Sequence, residues 1–171
     1  MKKELIGEFP NFFDRYINLV EDLPLFELFE KYSPDLVFND LKKYNQIGDE
    51  IYAHGKWTVK DILQHCIDTE RIMAYRALCF ARNDDTILPG FDENQYAKNT
   101  LSTNATIEDL ITEFSIVRQS NVWLFKSFNK TMLLRKGTAN LTRISPLALG
   151  FVIVGHALHH EQIIKERYYN L

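Results

Sequence analysis

Cysteine is scarce in this 171-residue chain, which contains only Cys66 and Cys79. Both fall on one predicted helix, where 13 positions separate them by about 20 Å at 1.5 Å per residue. A disulfide needs Cα atoms within about 7 Å of each other, so these two cannot be bridged. This usage predicts a reducing, cytoplasmic location in which both thiols serve as small core side chains.

Basic runs are equally short, since no stretch holds more than two consecutive Lys or Arg residues and the net charge is −3. Nucleic-acid binding needs a concentrated basic face, so that class of partner is not expected. The first residues lead into no apolar segment of the kind found in signal peptides. The apolar run at 147–158 is shorter than the roughly 20 residues that span a bilayer, so a membrane is not expected either.

Several catalytic and metal-binding motifs are missing from the sequence. There is no His-Glu-x-x-His, no Cys-x-x-Cys and no Glu-x-x-His, which excludes zincins, zinc ribbons and ferritin-like di-iron proteins. Neither a Gly-rich phosphate loop nor a Gly-x-Ser-x-Gly elbow is present. The chemistry of the chain must therefore depend on another arrangement of residues.

Hydrophobic periodicity predicts an all-α protein with four helical segments and no strand of comparable strength. We expect residues 1–171 to form one domain, because the length and the ordinary 46% apolar content suit a single core. The first segment covers about 25–44, with a restart or kink at Ser33-Pro34. The others begin at the capping residues Thr58, Thr106 and Ser145, and the second and fourth end near 81 and 168.

The connection between the second and third helices, residues 82–105, is longer than helix–helix loops usually are. A connection of this length favours a crossover, which would let those two helices run parallel in a four-helix bundle. Such long loops are also often functional. A second, shorter connection covers 126–144 and contains Gly137.

Three histidines are the strongest functional signal. His156 and His160 are four apart, which places them on one face of a helix, and His65 lies on the second helix. Three imidazoles can hold one divalent ion and leave a coordination position open, as catalytic metal sites do. His159, beside the pair, is as readily a solvated or outer residue as a ligand. The alternative is that all of these histidines are ordinary core or surface residues.

The chain resembles the DinB/YfiT-like family at several points in the right order. These are residues 55–61 (Gly-Lys-Trp-Thr-Val-Lys-Asp), His65, residues 68–71 (Asp-Thr-Glu-Arg), residues 88–92 (Leu-Pro-Gly-Phe-Asp) and residues 155–160 (Gly-His-Ala-Leu-His-His). The resemblance implies a four-helix bundle that holds one divalent ion with three histidines. These map to His65, His156 and His160 here. Zinc or nickel is the expected ion, because neutral imidazole suits both.

The resemblance implies a metal-dependent enzyme that acts on a small molecule, and characterised relatives include S-transferases that use low-molecular-weight thiols. Thiol transfer to a small electrophile is therefore the first hypothesis. The alternatives are a metal-dependent hydrolase and a non-catalytic metal- or ligand-binding bundle. Asp68 and Asp92 are candidate general bases. Arg71, Arg76 and Arg82 are candidates for binding an anionic substrate or thiol.

Two further expectations concern surfaces. Family resemblance and aromatic residues on otherwise polar segments predict a homodimer, although these side chains could instead pack on the bundle itself. The aromatic residues are Phe12, Phe13, Tyr16 and Trp123. Glu70 and Arg71 are expected to form a salt bridge on the helix surface or between helices.

The long connection is expected to reach the metal. His65 lies near the start of the second helix, so the loop must travel back about 24 Å from the helix end, which an extended chain can do. Residues 88–94 should then fold over the metal end of the bundle and shape the substrate pocket. Burial of Phe91 and Tyr96 would hold the loop in place.

Overall fold

The computed structural model describes residues 1–171, apart from the side chain of Thr103. Short 3-10 turns cover Lys3–Ile6 and Ser102–Asn104. The α-helices in the described part are α1 (Asp14–Leu19), α2 (Leu25–Lys31), α3 (Pro34–Val37), α4 (Leu41–Ile47), α5 (Val59–Ala81), α6 (Glu93–Lys98), α7 (Ile107–Lys126), α8 (Lys130–Leu134) and α9 (Pro146–Tyr168). The strands β1 (Gly137–Ala139) and β2 (Thr142–Ile144) pair antiparallel.

The three long helices begin where their capping residues predict. The side chain of Thr58 accepts a hydrogen bond from the Asp61 backbone, and the Asp61 side chain accepts one from the Thr58 backbone in return. Thr106 forms the same reciprocal pair at the start of α7. Ser145 caps α9, whose first residue is Pro146. These bonds satisfy backbone N–H groups that have no partner within the helix, and they fix each starting point.

Side-chain contacts give the direction of the long helices. Ser102, just before α7, bonds to Asp61 near the start of α5, and Glu113 bonds to Arg71 farther along both helices. The α5 and α7 helices therefore run parallel, which confirms the predicted crossover. In contrast, Tyr168 at the end of α9 donates to the carbonyl of Trp57 just before α5, so α9 runs antiparallel to α5.

The fourth position of the bundle is filled by α2, α3 and α4, which pack against α7 and α9. The first segment, predicted over about 25–44 with a restart or kink at Ser33-Pro34, is three short helices in the structure. Pro34 begins a new helix after Ser33, and a second break follows at Phe38. The Asp40 side chain then caps α4. The break at Ser33-Pro34 was predicted from the sequence, whereas the second was not.

The sequence did not predict α1, which packs directly on α9. The approach depends on Gly155, because a Cβ atom there would lie 2.0 Å from the backbone oxygen of Tyr16. Glycine lets two backbones come this close. Phe13 and Tyr16 are buried by this packing, while Phe12 stays exposed. Two of the aromatic residues taken as dimer surface thus belong to the core.

The β1–β2 hairpin is a second feature that the sequence did not predict. Its turn residues, Asn140 and Leu141, both have positive φ angles, of 48° and 62°. Asn-Gly is the usual sequence for such a turn, and leucine rarely adopts this conformation, so the sequence carries no hairpin signal. Leu88 of the long connection forms a bridge with Ala139 and ties that connection to the hairpin.

The α9 helix is the centre of the bundle. By length and composition it could cross a membrane, with a mean hydropathy of 1.2, but 78% of that apolar stretch is buried inside the protein. A helix that is apolar on all sides and covered by its neighbours is a core helix. This burial carries its histidines into the interior.

A buried ion pair links α5 to α7. The Glu70 carboxylate accepts hydrogen bonds from the Arg118 guanidinium at 2.7 and 2.8 Å, and both side chains are almost fully buried. Arg118 also donates to the Tyr32 carbonyl. Arg71 instead bonds to Glu113 at the surface. Glu70 and Arg71 thus both form salt bridges between helices, as the sequence predicted, because adjacent helix residues point in different directions and each finds a partner on α7.

Candidate metal centre

His65, His156 and His160 meet inside the bundle. The Nε2 atom of His156 lies 3.1 Å from Nε2 of His65 and 3.2 Å from Nε2 of His160. One potential ligand atom from each of the three lies within 4.8 Å of the others. The antiparallel packing of α5 and α9 brings His65 level with the pair on α9.

Burial keeps these imidazoles neutral. The pKa of His65 is lowered to about 4, chiefly by burial, while the nearby Glu93 carboxylate opposes the shift. Burial also holds the pKa values of His156 and His160 well below the usual range, and the neighbouring histidines lower them further. Neutral imidazole is the form that binds a metal, so the cluster is ready for an ion at neutral pH.

The donor set fits a divalent cation. Nitrogens that bind zinc at about 2.0–2.1 Å with angles between about 90° and 109° lie about 2.8–3.4 Å apart, which matches both contacts. Hydrogen bonding alone fits the cluster less well. Nε2 of His156 carries either one hydrogen or one lone pair, so it can make only one of its two short contacts as a good hydrogen bond. A cation shared by the three lone pairs satisfies all of them.

The histidines lie at the base of a cleft of about 200 Å³. Aromatic and apolar side chains form part of its wall, and polar or ionisable side chains form the rest. The lining residues are Phe12, Phe13, Arg15, Tyr16, Trp57, His65, Thr69, Met73, Arg76, Phe91, Glu93, Asn140, Val152, His156, His159 and His160. A cleft that combines apolar wall surface with converging polar groups is suited to bind a small molecule.

Comparison with known proteins identifies the family. A sequence model of the DinB superfamily matches residues 12–164, which is most of the chain. The chain belongs to the DinB superfamily. The match includes all three histidines and every long helix up to the last turn of α9. A comparison with curated proteins finds no match for this DinB-superfamily protein.

A solved structure shares the fold. It is YfiT from Bacillus subtilis, described as a probable metal-dependent hydrolase with an unusual four-helix bundle topology. The two chains are 17% identical and superpose with a TM-score of 0.68. The alignment covers 90% of this chain and 84% of YfiT. At this identity the likeness establishes the four-helix bundle fold of the DinB-superfamily protein.

The long connection reaches the cleft, as expected. Phe91 and Glu93 line the same cavity as the histidines, and the Pro89 carbonyl accepts a hydrogen bond from Arg76 at 2.9 Å. The proposed anchoring by burial of Tyr96 is wrong, since that side chain is 47% exposed, although its ring contacts the Phe91 ring. The hairpin bridge at Leu88 holds the loop instead.

Most of the acidic and basic residues suggested by the sequence lie elsewhere. Asp68 bonds to Gln64 outside the cleft, and Asp92 caps α6 with its side chain. Arg71 is engaged at the surface by Glu113, and the Arg82 guanidinium lies over the Phe128 ring. Of the residues proposed for these roles, Arg76 alone is among the described residues that line the cleft.

Sequence reasoning missed several cleft residues, among them Glu93, Arg15 and Tyr16. Glu93 follows Asp92 in a connection without periodic pattern. The sequence therefore did not show which of the two carboxylates would line the cleft. Arg15 and Tyr16 lie on the unpredicted α1, and the Tyr16 ring packs edge-on against His156 and His159. His159 lines the cleft but is not part of the converging set of three. The amphipathic pattern of residues 13–20 is the signal from which α1 could have been predicted.

Proposed function

We propose that this protein is a metal-dependent enzyme in which His65, His156 and His160 hold one divalent ion, with zinc or nickel as the expected metal. The convergence of three neutral imidazoles at the base of a cleft is the observation that carries the proposal. A cation so held acts as a Lewis acid and lowers the pKa of a water or thiol that reaches it.

The favoured reaction is the transfer of a low-molecular-weight thiol to a small electrophile. In that reaction the thiol sulfur forms a bond to the electrophilic carbon, and the leaving group departs with its bonding pair. The Glu93 carboxylate lines the cleft and approaches His65 closely enough to influence its pKa, so it is placed to accept the thiol proton. The guanidinium of Arg15 at the mouth favours an anionic thiol over a cationic one.

Hydrolysis is the second candidate, and Glu93 favours it as well. A carboxylate in the cleft can accept a proton from an attacking water, whose oxygen would bond to the acyl carbon. The bond from that carbon to the leaving group would break, and the leaving group would take up the proton from the carboxyl group. The description of YfiT as a probable metal-dependent hydrolase supports this alternative.

Metal analysis followed by an activity screen tests the proposal. Purified protein should contain one divalent ion per chain, and metal-loaded protein should consume thiol only when both a thiol and an electrophile are present. Ester cleavage without thiol would indicate the hydrolase instead. Protein that takes up no zinc or nickel would contradict both reactions, while metal uptake without turnover of any substrate would indicate a binding protein.

A further inference from the structure

Arg76 is a buried cation in the wall of the cleft. Its side chain is 3% exposed, and its guanidinium donates to the Pro89 carbonyl and more weakly to the Met73 sulfur at 3.6 Å. These contacts use two of the five N–H groups of an arginine. No carboxylate in the described part of the chain lies within 4 Å of it, in contrast to the buried Arg118 with its partner Glu70.

An unpaired buried charge is costly, and the protein tolerates it here. Burial lowers the pKa of Arg76, and no nearby carboxylate opposes that shift. Arginine nevertheless stays charged at neutral pH. Buried charges are normally paired or bound to a ligand, so this guanidinium lacks the partner that its environment requires. Its position in the cleft wall allows a ligand to supply it.

Thr69 gives a second, independent indication. Its side chain is also 3% exposed and lines the same cleft, and its hydroxyl has no hydrogen-bond partner among the described residues. Thr69 and Arg76 are seven positions apart, so they lie on one face of α5 together with His65. A buried hydroxyl that lacks a protein partner, on a residue that lines a cavity, is suited to bind a ligand atom.

We propose that Arg76 and Thr69 form a carboxylate-binding subsite in the cleft, which selects substrates or co-substrates that carry a carboxylate. A planar guanidinium matches the two oxygens of a carboxylate, and the Thr69 hydroxyl adds a third donor. One buried positive charge balances one negative charge, which favours a carboxylate over a doubly charged phosphate.

The geometry sets the shape of the ligand. Arg76 is eleven residues beyond His65, or about 16 Å along the axis of α5, and its side chain leans back toward the start of the helix. The bound carboxylate would then lie on the order of 10 Å from the histidines. An elongated small molecule fits, with its carboxylate at Arg76 and its reacting group near the histidines. The role of this subsite in substrate selection rests on the proposed function, whereas its binding of a carboxylate does not.

The test compares hexanoate with hexanamide, which share a length but differ in charge. Binding is measured by calorimetry on the full-length protein, both as purified and after chelation of any metal. The chelated sample tests carboxylate binding independently of the proposed metal site. Wild-type protein should bind hexanoate at least about tenfold more tightly than hexanamide in both states, as expected for a charge-assisted bond in a buried site.

Variants then locate the subsite. Arg76→Gln should remove the preference for hexanoate, and Thr69→Val, which keeps the volume, should reduce it. Arg82→Gln, at the end of the same helix and outside the cleft, should leave it unchanged. Should Arg76→Gln lose its helical circular dichroism, Arg76→Lys replaces it and should weaken the preference, because an ammonium lacks the two-pronged geometry.

Three results would overturn the proposal. The first is wild-type protein that binds both probes equally or binds neither. The second is an Arg76 variant that keeps the full preference. The third is an Arg76 variant that binds both hexanoate and hexanamide more weakly by the same factor, since this would show that Arg76 only holds the loop through Pro89.

Discussion

Nε2 of His65 lies 3.1 Å from Nε2 of His156, although 91 positions separate the two residues in the chain. The contact joins the first third of α5 to the middle of α9. It exists because α9 is buried on all sides from Pro146 to Ala157 and runs antiparallel to α5.

Replacing His156 or His160 with alanine should abolish stoichiometric metal binding and leave the helices intact, because two imidazoles hold an ion far less tightly than three. Metal content and far-UV circular dichroism measure the two effects. Zinc should also raise the melting temperature of wild-type protein, because a ligand that binds the folded state stabilises it. His54→Ala, an exposed histidine, is the control. A triple variant of the three histidines with wild-type metal content would show that the ligands are misassigned.

Changing Glu93 to glutamine should lower kcat by about 10²–10⁴-fold without loss of metal, since the amide cannot accept a proton. Steady-state kinetics on metal-loaded protein measures this. Asp92→Asn is the matched control, because asparagine also caps helices and the residue lies outside the cleft. Equal activity in the Glu93 and Asp92 variants would remove Glu93 from the mechanism.

Gly155→Ala should destabilise the protein by about 1–3 kcal/mol, despite the higher helix propensity of alanine. The added methyl group would meet the backbone oxygen of Tyr16 at 2.0 Å, and α1 must move away from His156. Urea denaturation measures the cost. Gly150→Ala should cost less, because the nearest atom there belongs to the flexible Leu25 side chain. A neutral Gly155 variant would mean that α1 does not depend on this close approach.

Arg118→Met should cost about 3–5 kcal/mol, because it leaves the Glu70 carboxylate buried without its partner. Arg71→Met should change stability by no more than about 1 kcal/mol, since its bridge to Glu113 is exposed. Chemical denaturation compares the two. Adding Glu70→Leu to the Arg118 variant should recover much of the loss, and a further loss would show that the ion pair is not the cause.

The homodimer remains a prediction for light scattering. A chain of 20.1 kDa should give a particle of about twice that mass at micromolar concentration. Trp123 is 72% exposed on α7, so Trp123→Ser should shift the mass toward the monomer if this side chain lies in the interface. A wild-type mass of one chain would contradict the dimer.

Local signals in the sequence predicted the long helices well. Thr58 and Thr106 bond to backbone groups within three positions, so their effect does not depend on the rest of the fold. The pair His156 and His160 is equally local, because helical spacing alone places both on one face. His65 was assigned to the same site because the residues around it resemble a motif of the family.

Features that depend on contacts between distant segments could not be predicted in this way. The α1 helix is only six residues long, too short to be stable alone, and it exists because it packs on α9. The β1–β2 hairpin has a turn that its residues do not favour. Glu93 lines the cleft and Asp92 does not, because of the way the loop packs against the bundle. Two adjacent positions in a sequence do not reveal which side chain points toward a site.

The sequence by itself therefore determined the bundle, the starts of its long helices and the two-histidine face of α9, since these follow from hydrogen bonds and periodicity within one segment. Only the tertiary structure decided which charges surround the histidines. It paired Glu70 with Arg118, carried Arg71 to the surface and left Arg76 buried without a carboxylate. The physical reason is that a charged side chain takes its partner from whichever segment packs beside it, and that choice is made only when the helices assemble.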